Sequence, residues 1–80
     1  MKTVSNILTD ALAEKAQKKL VAHQIAPLLV EMGRAHGYAV SLGGPDEFPD
    51  VTFEKQGIRS VLYLDRDGSW KENKLSGATK

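Results

Sequence analysis

The sequence contains no cysteine among its 80 residues and no long apolar run. The first absence excludes a disulfide framework, a thiolate metal site and a cysteine nucleophile. The second argues against a membrane-spanning segment, which needs about 20 apolar residues. Residues 1–14 also lack the basic start and apolar block that are typical of a secretory signal. We therefore expect a cytoplasmic protein without membrane contact, a setting with which the absence of cysteine agrees.

An excess of charge of one sign is also lacking, because eleven Lys and Arg balance ten Asp and Glu and leave a net charge of +1. This balance argues against a DNA-coating protein and against an acidic mimic of nucleic acid. The composition, 41% hydrophobic and 26% charged, is that of an ordinary folded domain. A domain this small has few residues to spare for a deep cleft, which favours a binding module over an enzyme.

The composition of the chain changes at Gly37. Good helix formers dominate before it, and β-branched and aromatic residues punctuated by Gly, Pro and Asp follow it. We predict an α+β fold, in which two N-terminal helical segments pack on a three- to four-stranded antiparallel β-meander. The helices are expected over about residues 4–22 and 25–36. The strands are expected at 38–42, 51–54, 58–64 and 69–73, within a single domain of residues 1–74 followed by a flexible tail, 75–80.

The helical part should be kinked or interrupted, because its apolar residues form two stripes about 130° apart on a helical wheel. One stripe consists of Leu8, Ala11, Leu12, Ala16 and Leu20. The other consists of Val21, Ile25, Leu28, Met32 and Ala35. Pro27 offers the break, since proline lacks an N–H and clashes with the carbonyl four residues back. Ser5 or Thr3 is the expected N-cap, and Gly37 is suited to the left-handed residue that ends the second helix.

Hairpin turns allow side chains to be assigned to the two faces of the sheet. A loop at Gln56-Gly57 places Glu54 opposite Arg59. The face expected to lie under the helices then carries Val51, Phe53, Leu62 and Leu64. The opposite face carries Thr52, Glu54, Arg59, Val61 and Tyr63. A two-residue loop at Asp67-Gly68 would add Trp70 to that opposite face, although a slip of one residue exchanges the two faces.

The sequence offers no catalytic or metal-binding pattern. His23 and His36 are thirteen residues apart, so they do not share one helix face, and we expect surface or capping roles. The segment from Asp65 to Ser69 matches a calcium loop poorly, because its glycine follows directly after the second aspartate. The serines have no neighbouring histidine that could act as a base. We therefore expect no enzymatic activity, no metal and no cofactor.

The best candidate for a partner surface is the predicted outer sheet face. Val61, Tyr63 and Trp70 would face water there, with Glu54 and Arg59 at the rim. Tyrosine and tryptophan are enriched in binding hot spots. The alternative is that another part of the chain covers this face and that these residues are core.

On the first interpretation the protein is a small non-enzymatic protein-binding module, either an inhibitor or adaptor or a chain that binds a second copy. Small domains of this kind are frequent among accessory proteins of bacteria and their phages.

Phe48 is a second candidate for partner binding. Three carboxylates surround it, those of Asp46, Glu47 and Asp50. An exposed aromatic residue in this setting would suit a basic, apolar pocket on a partner. The alternative is that Phe48 folds back as a lid on the small core.

A basic spot on the first helix is the basis of an alternative function, a small nucleic-acid-binding regulator. Lys15, Lys18 and Lys19 lie within about one turn of each other and could contact phosphates. Glu14 is four residues before Lys18, which is also the spacing of an ordinary solvated helix face. No aromatic residue lies among these lysines to stack on bases.

Overall fold

The computed structural model describes residues 3–76, with side chains over residues 3–74. Two helices pack on one face of a four-stranded antiparallel sheet whose strands are ordered as they occur in the chain. The helices are α1 (Val4–Lys18) and α2 (Ile25–Ala35), joined through a 3₁₀ turn (Ala22–Gln24). The strands are β1 (Ala39–Gly43), β2 (Asp50–Lys55), β3 (Ile58–Leu64) and β4 (Trp70–Ser76). The predicted α+β meander is confirmed.

The strands are close to their predicted limits except at the end of the chain. The last strand continues through residues 75 and 76, which we expected in the tail. Residues 77–80, the remainder of the expected tail, lie outside the described residues.

The helical part is interrupted before Pro27 and not at it. Lys19 adopts a left-handed conformation with φ of 55°, and its N–H donates to the carbonyl of Lys15, so α1 ends at Lys18. The predicted end of the first helix, near residue 22, was therefore wrong. Pro27 is the third residue of α2. Its missing N–H has no consequence there, because the first four N–H groups of a helix have no partner within the helix.

Both helix caps that the sequence suggested are formed. Thr3 is the N-cap of α1, where its Oγ1 accepts a hydrogen bond of 3.1 Å from the Asn6 N–H. At the other end, Gly37 has φ of 86°. The Gly37 N–H donates to the Arg34 carbonyl and the Tyr38 N–H to the Gly33 carbonyl, at 3.1 and 3.0 Å. This is a Schellman motif, and it turns the chain directly from α2 into β1.

The β2–β3 hairpin has the predicted register. Gln56 and Gly57 form its turn with φ of 52° and 80°, which is the backbone pattern of a type I′ turn. Val51 lies opposite Leu62, and Glu54 lies opposite Arg59. We call the face under the helices the inner face and the opposite one the outer face.

The β3–β4 hairpin corrects the predicted position of Trp70. Its turn has three central residues between Asp65 and Ser69, since the Asp65 N–H donates to the Ser69 carbonyl at 2.8 Å. This extra residue pairs Trp70 with Leu64 and moves it to the inner face. There it is 8% exposed, and its Nε1 donates to the Ala22 carbonyl at 2.9 Å. Trp70 is a core residue, and its assignment to the outer face was wrong.

The helices reach the core through side chains that differ in part from the predicted stripes. In α1 the buried residues are Val4, Ile7 and Ala11, which follow the spacing of a helix face. In α2 they are Ile25, Ala26, Leu29 and Gly33. Leu12 is 40% and Val21 51% exposed, so these two do not belong to the core. The predicted stripe of α1 omitted Val4 and Ile7, and the contact face is rotated accordingly.

Leu62 allows the assignment of the inner face to be tested. Its side chain is fully buried at the centre of the sheet. Leu62→Ala should lower the free energy of unfolding by about 2–4 kcal/mol, because it leaves a cavity that the core cannot fill. The measurement is urea denaturation, with Val61→Ala on the other face as the control. A Leu62→Ala midpoint no lower than that of Val61→Ala would contradict the assignment.

Candidate functional site

The outer face of the sheet is not covered by either helix. The helices bury the residues with the opposite orientation, Val51, Phe53, Leu62, Leu64 and Trp70. On the outer face, Thr52, Val61 and Tyr63 are only half-buried, and neither Val61 nor Tyr63 belongs to the hydrophobic core. In the part of the chain that the structure describes, Val61 and Tyr63 are therefore not core residues, in contrast to the alternative interpretation of the sequence.

Tyr63 and Val61 form the centre of this face. Both lie on β3, which has a neighbouring strand on each side, so each of these residues has two cross-strand neighbours. Tyr63 lies between Asp50 and Lys71, and Val61 lies between Thr52 and Asn73. One aromatic ring and one aliphatic side chain are thus surrounded by polar groups. An apolar centre with a polar rim is also the general arrangement of protein–protein contacts.

Glu54 and Arg59 form one end of the rim, as the hairpin register requires. The Nε and Nη2 atoms of Arg59 donate to Oε2 of Glu54, at 3.0 and 2.8 Å. Both side chains are 52% exposed, so water screens the pair and its contribution to folding is small. The pair does hold the guanidinium in a defined place, where its remaining donors can meet a partner.

Lys71 and two aspartates of the β3–β4 turn form the other end of the rim. The Nζ atom of Lys71 lies 2.6 Å from Oδ2 of Asp65 and 3.2 Å from Oδ2 of Asp67. The Oδ1 atom of Asp67 also accepts hydrogen bonds from the Ser69 N–H and hydroxyl, at 3.0 and 2.7 Å. These Ser69 bonds, helped by Lys71, lower the pKa of Asp67 to about 2. The hydrogen bonds from Lys71 and the Arg66 N–H lower the pKa of Asp65, and the two aspartates raise that of Lys71.

Phe48 and the three lysines at the end of α1 are the remaining candidates from the sequence. Phe48 is 39% exposed and lies outside the core, so it does not act as a lid. It lies in a turn in which its N–H donates to the Pro45 carbonyl at 3.1 Å.

The three lysines lie at the C-terminal end of α1, where positive charge suits the helix dipole. The Nζ atom of Lys18 is 3.2 Å from a Glu14 carboxylate oxygen, while the Lys15 side chain is half-buried. Lys19 is the residue that ends the helix. The basic spot is thus largely an ordinary helix surface.

The part of the chain that the structure describes holds no group of three or more His, Asp or Glu placed to bind a metal ion. The carbonyl of His36 accepts a hydrogen bond of 2.8 Å from the Lys55 ammonium, close to the end of α2. Asp65 and Asp67 contact Lys71 and belong to the turn of the β3–β4 hairpin.

Two features of the surface were not singled out from the sequence. One is a cleft of about 460 Å³ between the start of α1 and the β2–β3 turn, lined by Tyr38, Phe53 and Ile58. The other is β1, an edge strand whose Leu42 is 56% exposed. The cleft could not be predicted from the sequence. It depends on the 65% exposure of Ile58, which no periodicity in the sequence indicates.

Comparison with protein families, curated proteins and solved structures finds no match to this chain. Among residues 3–76, neither helix has the length and apolar character needed to cross a membrane. The assignment of a function therefore depends on the surfaces described above.

The Asp67 carboxyl offers a direct test of the turn that borders the outer face. Its carboxyl carbon signal in NMR should titrate with a midpoint near 2, below the ordinary 3.8. Because the folded-state pKa is lowered, the stabilisation by this carboxylate is present above pH 3.8 and is lost as the pH falls towards 2.

Ser69→Ala should raise the Asp67 midpoint, because it removes the hydroxyl donor. Ser5→Ala, a serine on α1, serves as the control and should leave it unchanged. An Asp67 midpoint near 3.8 in the unmodified protein would show that the turn is not formed as described.

Proposed function

We propose that this chain is a small non-enzymatic protein-binding module, an inhibitor or adaptor, that holds its partner on the outer face of the sheet. The observation that supports this most is the half-buried pair Tyr63 and Val61 at the centre of a face without a helix. We place its action in the cytoplasm, as an accessory protein of a bacterium or phage.

The dimensions of the face suit a partner that contributes a helix. Four strands spaced about 4.8 Å apart make a surface roughly 15 Å wide between the outermost strands. An α-helix with its side chains is about 10 Å in diameter, so one helix would cover the centre of the face. The inner face is already covered by helices in this manner, and sheets commonly pack in such layers.

The rim adds directionality to this contact. Lys71 is held by two aspartates at one end, and Arg59 is held by Glu54 at the other. Both ends present charged groups whose positions are fixed before binding, which reduces the loss of side-chain entropy on association. The apolar centre would supply affinity, and the charged rim would select orientation and exclude unsuitable partners.

Nucleic-acid binding through Lys15, Lys18 and Lys19 has less support. Lys18 already contacts Glu14, and the chain as a whole is nearly neutral. Phosphate contacts of this kind would weaken steeply with added salt, and a salt titration with a DNA duplex would distinguish the two functions.

Tyr63→Ala tests the proposed function. Truncation of a central interface aromatic residue typically costs about 2–4 kcal/mol of binding energy, whereas the half-buried Tyr63 lies outside the core and contributes less to folding than a core residue does. Protein captured on the immobilised chain from a lysate of its source should therefore be lost with Tyr63→Ala, while the denaturation midpoint falls less than it does with Leu62→Ala.

Val21→Ala is the control, since it truncates an exposed apolar residue between α1 and the 3₁₀ turn, on the helical side of the molecule, and it should retain the captured protein. Two results would contradict the proposal: capture of the same protein by Tyr63→Ala, or loss of capture with Val21→Ala.

A further inference from the structure

The two edges of the sheet differ in charge. The outermost strands are β1 and β4. Strand β4 carries Lys71, Glu72 and Lys74, and charged side chains, lysine above all, protect an exposed edge from pairing with other strands. Strand β1 reads AVSLG, without a charge or a proline. Its unpaired N–H and C=O groups therefore lack the usual protection.

We propose that β1 pairs with β1 of a second copy of this chain, antiparallel and about a two-fold axis at Ser41. In this register Ser41 meets its own equivalent, and Ala39 lies opposite Gly43 of the second copy. On the inner face Val40 lies opposite Leu42 of the second copy. Leu42 is 56% exposed and Val40 is half-buried in one chain, so the pairing would remove apolar surface from water.

The charges at the two ends of β1 favour the antiparallel arrangement. Near its start lie Arg34, in the last turn of α2, and Lys55, whose ammonium contacts the end of that helix. Its end leads into the acidic segment of Asp46 and Glu47. Antiparallel pairing places the acidic end of each strand beside the basic end of the other, and the two-fold axis repeats this contact.

These charges are accessible for such contacts. Arg34, Asp46 and Glu47 are exposed, and none of them takes part in an ion pair within residues 3–76. Lys55 has partners in its own chain, so its positive charge would attract the second copy without a direct contact. The charges that would attract each other across the dimer, those of Arg34, Asp46 and Glu47, are thus exposed to solvent in the described part of one chain.

A second copy also fits the edge by symmetry. Pairing of β1 with β4 of another molecule would always leave one β1 edge open and would extend without limit, whereas the two-fold pairing uses both β1 edges and stops at two chains. The closed form leaves the charged β4 edges outermost, where they oppose further growth. Five residues make a short pairing, so the dimer should be weak, with a dissociation constant in the micromolar to millimolar range.

Sedimentation equilibrium of the whole chain over a concentration series tests the pairing. The average mass should rise from 8.7 kDa towards twice that value. Ser41→Lys places two like charges on the two-fold axis and should raise the dissociation constant about fivefold or more. The matched control is Asn73→Lys, an exposed residue of the outer face on β4, which should leave the constant unchanged. Circular dichroism checks that both variants fold.

A charge exchange tests the register. Arg34→Glu alone, or Asp46→Lys with Glu47→Lys, should each weaken the dimer about threefold or more. All three changes in one chain should bind more tightly than either half of the exchange, because the contact with position 34 is re-formed with the signs exchanged while Lys55 keeps its charge. Added salt should weaken the dimer of the unmodified protein.

Three outcomes would overturn the inference. The first is an average mass that stays at one chain over the whole series. The second is an Asn73→Lys dimer as weak as that of Ser41→Lys. The third is a combined charge exchange that dimerises no better than either half. Tyr63→Ala separates this inference from the proposed function, since it should leave the dimer intact.

Discussion

The close approach of α2 to the sheet at Gly33 is the constraint on which the rest of the structure depends. A Cβ atom at this position would lie 2.5 Å from Cε2 of Phe53 and 2.7 Å from Cγ2 of Val40, so a larger residue would force the helix away. Phe53 is 1% exposed and meets the Tyr38 ring edge to face at 5.8 Å. The helix, β1 and β2 are thereby fixed against one another, with the best-buried aromatic ring between them.

The bare outer face follows from this arrangement and from the length of the chain. Helix α1 has 15 residues and α2 has 11, and at about 1.5 Å per residue they are roughly 22 and 16 Å long. Two helices of this size cover one face of a four-stranded sheet, and the described chain has no third helix for the other. The outer face therefore depends on its own alternation of polar and apolar side chains to remain in water, and Tyr63 is the residue at which this alternation leaves an aromatic ring.

The parts of the fold that were predicted correctly are those with a local chemical cause. Gly37 ends α2 because it tolerates a positive φ, and Gln56-Gly57 sets the β2–β3 register, from which Glu54, Arg59, Val61 and Tyr63 were placed on the outer face. Trp70 was misplaced because an Asp-Gly pair suits both a two-residue turn and a three-residue turn with a bulge. Glycine takes a positive φ in both, and Gly68 has φ of 88° here.

The end of α1 was missed for a related reason. Lys19 adopts the left-handed conformation without being Gly or Asn, so its residue type gives no sign of a helix end. Position 19 also follows a run of good helix formers, which favours continuation of the helix. The chain turns back after Lys19, and α1 and α2 then pack against each other. A contact of that kind has no signature in the local sequence.

The two proposed surfaces support each other physically. In the proposed dimer the two outer faces would form one continuous sheet, with the β3 strands of the two copies separated by five strand spacings, or about 24 Å. The outer face of one chain is small, and a five-residue contact between β1 strands is weak, so neither surface alone would give tight binding. A partner with two matching sites at that separation would bind the second copy at a high effective concentration, and its binding would in turn stabilise the pairing of the β1 strands. Weakness at each surface would then make assembly depend on the partner, which is a useful property for a small inhibitor or adaptor.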